Sequence, residues 1–238
     1  MQSPKAVFRG AVSMVLFALY GLGGLAISPI MAILRSPRLC QPVVRAVWRP
    51  LVWLFQATGL IRIDRGNLGE MRGCVIAANH PSLIDVVLVS VLVPRTLFVA
   101  KHALLKNPFM SAIVRNTSLP DDEGLPAAAA PYLAAGWNVL VFPEGTRSPN
   151  PWEMRKFHRG AAHLALRCGA KVACVGINMT CAILGKHQKP WQMGTETVVY
   201  SFRADAPLAV GRDENRGLRP QAAELTESLF ARINSLRQ

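Results

Sequence analysis

The stretch Ala77-Ala78-Asn79-His80-Pro81-Ser82-Leu83-Ile84-Asp85 joins a short apolar run to a longer apolar segment. The run before it, Cys74–Ala78, is typical of a buried strand. Pro81 suits the first position of a helix, because its nitrogen carries no hydrogen and its φ is already close to helical. The segment Leu83–Val93 is predicted to continue that helix. His80 is therefore predicted at a junction between strand and helix, where open α/β sheets form their sites.

The spacing of His80 and Asp85 restricts how their side chains meet. Residues five apart on a helix point in different directions, since helical neighbours lie three or four apart. The two side chains meet only if His80 lies in the turn and folds back over the first helical turn. Asp85 would then accept from one ring nitrogen and leave the other as a base. The alternative is a solvated His80 and an Asp85 that complements the helix dipole.

The chain is basic and apolar. Its 238 residues are 51% hydrophobic and carry a net charge of +13. This composition suits a protein that rests on an anionic membrane surface, where each basic residue contributes about 1 kcal/mol. We predict no nucleic-acid partner, because zinc spacing, an aromatic RNA-binding pattern and a basic recognition helix are all missing. The five cysteines show no paired spacing and the histidines no ligand spacing, so no disulfide framework and no metal site are predicted.

The N-terminal quarter has the pattern of a membrane anchor. Residues 10–34 contain no charged side chain and are long enough to cross a hydrocarbon core of about 30 Å. Residues 47–61 are typical of an interfacial helix, with Trp48 and Trp53 as anchors at the membrane surface. The arginines around these stretches are predicted to contact lipid headgroups; they are Arg35, Arg38, Arg45 and Arg49.

These features predict residues 1–61 as a two-helix membrane anchor and residues 62–238 as a separate α/β domain. A cleaved signal peptide is an alternative, although its apolar region would be unusually long. Basic residues lie on both sides of the apolar stretch, so the orientation stays open. A hairpin that lies in one leaflet is therefore an alternative to a spanning helix.

From residue 62 onward, apolar runs alternate with helical segments. This alternation predicts a mostly parallel central sheet flanked by helices. Gly136 and Gly169 are predicted to end two of the helices. The predicted strands are 73–78, 96–100, 138–142, 171–177 and 196–202, and the predicted helices are 82–93, 124–135, 157–168 and 219–236.

A second polar motif follows a second buried strand. Residues 139–142 lead directly into Pro143-Glu144-Gly145-Thr146-Arg147-Ser148. The planar guanidinium of Arg147 is suited to bind a phosphate. Glu144 is predicted to accept from a substrate hydroxyl or to fix Arg147. A polar turn with an internal ion pair is the alternative.

The two motifs together resemble those of the glycerolipid acyltransferase family, and in particular the 1-acyl-glycerol-3-phosphate acyltransferases. The resemblance extends from about residue 73 to about residue 205. Phe98–Lys101 and Arg155–Gly160 are similar to the family's segments that follow each motif, and Val172–Ile177 is similar to its fourth motif.

The resemblance implies a glycerol-3-phosphate acyltransferase-like α/β fold and acyl transfer from a thioester to an alcohol. His80 would be the general base and Asp85 the group that orients it. Backbone N–H groups near Pro143–Gly145, or at the helix start after His80, would hold the oxyanion. The implied substrate-binding residues are Glu144, Gly145, Thr146, Arg147, Lys101, Lys156 and Arg159.

No cofactor is implied, since acyl-CoA or acyl-carrier protein would serve as the donor substrate. The implied acceptor is a membrane lipid, above all 1-acyl-sn-glycerol-3-phosphate, which would give phosphatidic acid. The implied location is the inner or cytoplasmic membrane, with the catalytic domain on the cytoplasmic face.

Two departures from the family pattern concern the acceptor. Residues 117–123 are acidic where the family's second motif ends in an arginine, and Ala173 and Cys174 occupy a region that usually contains proline. A lyso-aminolipid, another lysophospholipid or a polyene-type product therefore remain alternative acceptors. A non-catalytic membrane scaffold is a further alternative. A serine hydrolase is disfavoured, because the chain lacks a Gly-x-Ser-x-Gly elbow.

Overall fold

A seven-stranded sheet forms the centre of the protein in a computed structural model, which describes residues 3–68, 71–106 and 111–237. Its spatial order is β1-β7-β6-β2-β5-β3-β4, and only the β6–β7 pair is antiparallel. The prediction of a mostly parallel sheet flanked by helices is confirmed. The strands are β1 Ile61–Asp64, β2 Cys74–Ala78, β3 Thr96–Ala100, β4 Ser118–Pro120, β5 Asn138–Val141, β6 Lys171–Met179 and β7 Val198–Ala204. The helices are α1 Pro4–Leu34, α2 Pro37–Ala57, α3 Asp85–Leu92, α4 Ser111–Thr117, α5 Leu125–Ala134, α6 Gly160–Cys168 and α7 Leu218–Leu236, with a 3-10 helix at His102–Lys106.

Helices cover both faces of the sheet, which explains why its central strands are continuously apolar. All five residues of β2 are buried. Ile76 packs into the core that the sheet shares with α1, α2 and α3. Val75 and Ala77 point to the opposite core, which the sheet shares with α5, α6 and α7. This alternation follows from the two-residue period of a strand.

The helix predicted to begin at Pro81 begins only at Asp85. Tertiary hydrogen bonds hold the intervening residues out of the helix. The Ser82 hydroxyl donates to the Ile183 carbonyl at 2.6 Å, and the Leu83 N–H donates to the Leu184 carbonyl at 3.0 Å. The helix start could not be predicted from the local sequence, because these hydrogen-bond partners lie about 100 residues further along the chain.

Helix α1 alone, among the described residues, is long and apolar enough to cross a membrane by length and composition. Helix α2 is amphipathic, and its buried face includes Val44, Leu51 and Phe55. The prediction of Trp48 as a surface anchor is wrong, because its side chain is 2% exposed and its ring lies 5.6 Å from that of Tyr20. Both helices share one hydrophobic core with the sheet.

Candidate active site

Three neighbouring strands, β6, β2 and β5, send loops to one edge of the sheet. Asn79, directly after β2, is fully buried and continues the pairing with β6 through its side chain. Its amide donates to the Ile177 carbonyl at 2.8 Å and accepts from the Ile177 N–H at 2.7 Å. The Asn79 side chain thereby extends the hydrogen bonding between β2 and β6 by one residue, and it fixes the position of the turn that holds His80.

The structure brings His80 and Asp85 into contact, with 2.9 Å between His80 Nδ1 and Asp85 Oδ2. The same carboxylate oxygen accepts the Ser82 N–H at 2.8 Å. The ring of Phe142 stacks on the imidazole with centroids 4.1 Å apart and planes 17° apart. The His80 side chain remains 15% exposed, whereas that of Asp85 is fully buried. The imidazole is thus held on two sides and open on another.

Burial raises the pKa of Asp85, and the hydrogen bond from His80 opposes that shift. The buried Tyr200 phenol belongs to the same environment, since its pKa is raised well above 10.0 by burial and by the Asp85 carboxylate. Because the Asp85 carboxylate is buried and has few hydrogen-bond donors, its hydrogen bond with the His80 imidazole is favourable. This arrangement can stabilise an imidazolium that forms during a reaction.

Glu144 has a role other than the predicted substrate contact. Its side chain is 2% exposed, and Oε1 accepts from the His80 N–H at 3.0 Å and the Ser148 hydroxyl at 2.7 Å. Oε2 accepts from the Arg155 N–H at 2.9 Å. The Ser148 N–H donates in turn to the His80 carbonyl at 2.7 Å. Glu144 therefore fixes the backbone at His80, and its described bonds do not include the predicted pairing with Arg147.

Arg147 spans from the β5 loop to the β6 loop. Its Nη1 donates to the carbonyls of Leu184 and Gly185 at 3.0 and 2.8 Å. Burial lowers the pKa of Arg147 below its ordinary value, while the Asp85 carboxylate opposes that shift. The guanidinium therefore lies close enough to the His80–Asp85 pair to share its electrostatic field.

A further cationic group lies next to Gly145, whose φ of +64° is in the left-handed region. A methyl group placed on Gly145 would come within 3.1 Å of the His158 ring and 3.8 Å of Lys101 Nζ. Sequence reasoning missed His158, although it lies inside the basic segment that was singled out. The side chains of Lys156 and Arg159 are exposed, and no described contact ties them to the site.

Some backbone N–H groups that were predicted to hold an oxyanion have protein acceptors. The Gly145 N–H donates to the Phe142 carbonyl at 3.0 Å, and the N–H groups after Pro81 bond within their own turn or to the β6 loop. In the described part of the chain, the N–H groups of Thr146 and Arg147 have no protein acceptor. Nor do the described residues form a cluster of three metal-type ligands.

Comparison with known proteins gives one consistent class. A family model described as Acyltransferase matches residues 66–178. A Pseudomonas aeruginosa protein named 1-acyl-sn-glycerol-3-phosphate acyltransferase is 33% identical over 149 residues, which is 57% of each chain. The human 1-acyl-sn-glycerol-3-phosphate acyltransferase beta is 28% identical over 57% of this chain and 52% of its own length. The chain thus matches little more than half the length of these curated relatives.

The crystal structure of the 1-acyl-sn-glycerophosphate (LPA) acyltransferase PlsC from Thermotoga maritima matches with a TM-score of 0.66 and 17% identity. The match covers 95% of this chain and 97% of that one, so the fold is shared along nearly the whole length. Residues 66–178, which match the Acyltransferase family model, hold the His80–Asp85 pair and the Glu144–Arg147 loop.

Proposed function

We propose that this protein transfers a fatty acyl group from acyl-CoA or acyl-carrier protein to the free hydroxyl of a lysophospholipid at a membrane. The acceptor we propose is 1-acyl-sn-glycerol-3-phosphate, and the product is phosphatidic acid. The observation that carries the proposal is the His80–Asp85 contact at 2.9 Å, at the edge of the sheet where the Glu144–Arg147 loop also lies. The names of the curated relatives support the choice of acceptor.

His80 acts as the general base in this proposal. With Nδ1–H donated to Asp85, Nε2 takes the proton of the acceptor hydroxyl, and the oxygen attacks the thioester carbonyl. The tetrahedral intermediate collapses, the C–S bond breaks, and the thiolate takes the proton back from the imidazolium. Thr146 and Arg147 offer their free N–H groups to the oxyanion.

No acyl-enzyme is needed for this reaction. The one hydroxyl next to His80 in sequence, that of Ser82, is fully buried and bonded to the Ile183 carbonyl. We therefore propose that the acyl group passes directly from the thioester to the alcohol, without a covalent acyl-enzyme.

The acceptor phosphate is assigned to the cations around Gly145. Arg147 would bind the phosphate through the guanidinium N–H groups that are not used by the carbonyls of Leu184, Gly185 and Lys186. Lys101 and His158 lie next to Gly145 and would supply further hydrogen-bond donors to the phosphate. A phosphate here would be held by charge-assisted hydrogen bonds.

The test is acyl transfer by purified protein in detergent, with mass spectrometry of the lipids formed from a mixed pool of acceptors. His80→Ala should abolish transfer, while His163→Ala, a histidine on α6, should leave it intact. A His80→Ala variant near the wild-type rate would exclude the proposed base. Equal use of 1-acylglycerol, which lacks the phosphate, would exclude the proposed acceptor site and return the other acceptors to consideration.

A further inference from the structure

A cleft of about 730 Å³ lies between α2 and the N-terminal ends of strands β3 and β5, away from His80. Its sheet side is formed by the residues just before β3 and β5, among them Arg95 and Trp137. His80 follows the other end of the neighbouring parallel strand β2. We call this cleft the arginine groove, because four arginines line it: Arg38, Arg45, Arg49 and Arg95.

The arginine groove is built from parts of the chain that contain no acidic residue. Residues 1–63, 86–120 and 124–143 lack both Asp and Glu, and every residue that lines the groove comes from these ranges. The four ion pairs of the described residues all lie elsewhere. In the described part of the chain, therefore, no carboxylate forms an ion pair with these guanidinium groups.

The groove is held in shape by hydrogen bonds across the junction of α2 and the sheet. The buried Gln41 donates to the Thr96 carbonyl at 2.9 Å and accepts from the Arg95 N–H at 2.7 Å. Arg45 donates through Nη2 to the Val91 carbonyl at 3.0 Å. These bonds fix Arg45 and the backbone at Arg95, so part of the cationic lining is preorganised.

The cations of the groove repel one another. Burial lowers the pKa of Arg45 below its ordinary value, and the charge of Arg49 lowers it further. The Nε of Arg45 is buried and has no hydrogen-bond partner in the described part of the chain. A bound anion would relieve the repulsion between these guanidinium groups.

We propose that the arginine groove is a second anion site, separate from the catalytic site, that binds phosphate groups. Guanidinium forks match phosphate geometry, and the indole of Trp137 gives the groove an apolar wall. Binding there would link α2 to the segment before β3. The proposal does not depend on acyl transfer.

The neighbouring surface favours the headgroup of an anionic phospholipid as the source of that phosphate. On a helix with about 100° per residue, Arg38, Arg45 and Arg49 share one stripe, and Leu39 and Trp53 lie within about 100° of it. Both apolar side chains are exposed, at 55% and 64%. A basic stripe beside exposed apolar side chains suits the interface of a bilayer.

The test uses an Arg49→Gln/Arg95→Gln variant and a matched control, Arg212→Gln/Arg219→Gln, which removes two exposed arginines at and just before α7 on the other face of the sheet. Both pairs are introduced into the His80→Ala chain, so binding is measured without turnover. One arm is cosedimentation with phosphatidylglycerol vesicles against phosphatidylcholine vesicles. The other arm is thermal stabilisation by inorganic phosphate.

We expect the groove variant to bind phosphatidylglycerol vesicles about thirtyfold more weakly than the control, because each of the two basic residues contributes about 1 kcal/mol at an anionic surface. A deficit only in the phosphate arm would also support the site and would identify a soluble phosphate compound as the ligand. Equal behaviour of both variants in both arms would overturn the proposal. So would a deficit confined to binding of acyl-carrier protein by the same chains, which would identify an acidic protein as the partner.

Discussion

The two oxygens of the Asp85 carboxylate have different surroundings. Oδ2 faces His80 and accepts the Ser82 N–H, whereas Oδ1 is buried and has no hydrogen-bond partner among the described residues. A buried charge that is only partly satisfied is unfavourable for folding. The structure therefore retains at Asp85 a group that the proposed chemistry needs and that stability alone would not select.

Asp85→Asn should lower acyl transfer by about 10³–10⁴-fold, as expected when the group that orients a histidine base loses its charge. The variant should be at least as stable as the wild type at pH 8. The reason is the raised pKa of Asp85 in the folded state: stability is fully present below the ordinary value of 3.8 and falls as pH rises through the raised value. The substitution removes this dependence, because an amide does not titrate, and thermal unfolding at several pH values would show its loss.

The control is Asp121→Asn at an exposed carboxylate, which should change neither property. If the Asp85 variant were less stable than the wild type at pH 8, the loss of activity would follow from the loss of folded protein, and Asp85 would have a structural role instead.

The sequence predicted how His80 and Asp85 could meet, because their spacing excludes a shared helical face and requires His80 to lie in the turn, but it left a solvated His80 open. The stacking of Phe142 and the bracing by Glu144 were not predictable, since each depends on β2 and β5 being neighbours in the sheet. His158 was missed for the same reason. Its relation to Gly145 and Lys101 exists only after three separate segments come together.

At the scale of elements, the loop after β5 acts as a brace for the loop after β2. Glu144→Gln leaves a single oxygen to accept from either the His80 N–H or the Arg155 N–H, and its NH₂ group faces the other N–H, so two donors oppose each other. We expect a loss of about 1–3 kcal/mol in the free energy of unfolding. We also expect a lower kcat, because the backbone at His80 shifts. Denaturant unfolding and steady-state kinetics measure the two effects, and Glu153→Gln, at an exposed glutamate, is the control.

Helix α6 carries a pH-sensitive group away from the site. Burial and the nearby charges of Arg167, Arg159 and Arg219 lower the pKa of His163 from 6.5. The unfolded chain therefore binds a proton at His163 more readily than the folded chain does. The contribution of His163 to stability is fully present above about pH 6.5 and is lost as the pH falls below that value. His163→Gln should reduce the loss of stability between pH 7 and pH 5, as followed by thermal unfolding. An unchanged pH dependence would contradict this assignment.

The sequence predicted the interior elements better than those at the edges. The starts of α5 and α7 lie within one residue of prediction, and Gly136 and Gly169 end helices with φ of +77° and +58°. Strands β1 and β4 were missed because four and three residues at the sheet edges carry little periodic signal. The predicted start of α6 was too early, since residues 157–159 are held in the loop that faces Gly145.

At the scale of the whole molecule, the N-terminal hairpin is tied to the catalytic sheet by a polar contact as well as by its apolar core. Arg9 on α1 is 8% exposed, and its guanidinium donates to four backbone carbonyls, two just after the C-terminal end of α2 and two just before β7. The shortest of these bonds, to the Glu196 carbonyl, is 2.7 Å. Arg9 therefore forms a buried polar link between α1 and the rest of the protein, although the sequence places it only as a charge beside an apolar stretch.

Arg9→Met should therefore loosen α1 from the sheet while preserving its apolar face. The thioether keeps much of the buried aliphatic contact, but the four carbonyls lose a charged donor. We expect the free energy of unfolding in detergent to fall by about 3 kcal/mol. The matched control is Arg35→Met, because Arg35 is exposed and its Nε bonds only the Ala32 carbonyl of its own helix. Hydrogen exchange should show faster opening at residues 59–60 and 194–196 in the Arg9 variant alone. If the two variants unfold alike and exchange alike, the hairpin is held by its apolar core and Arg9 contributes little.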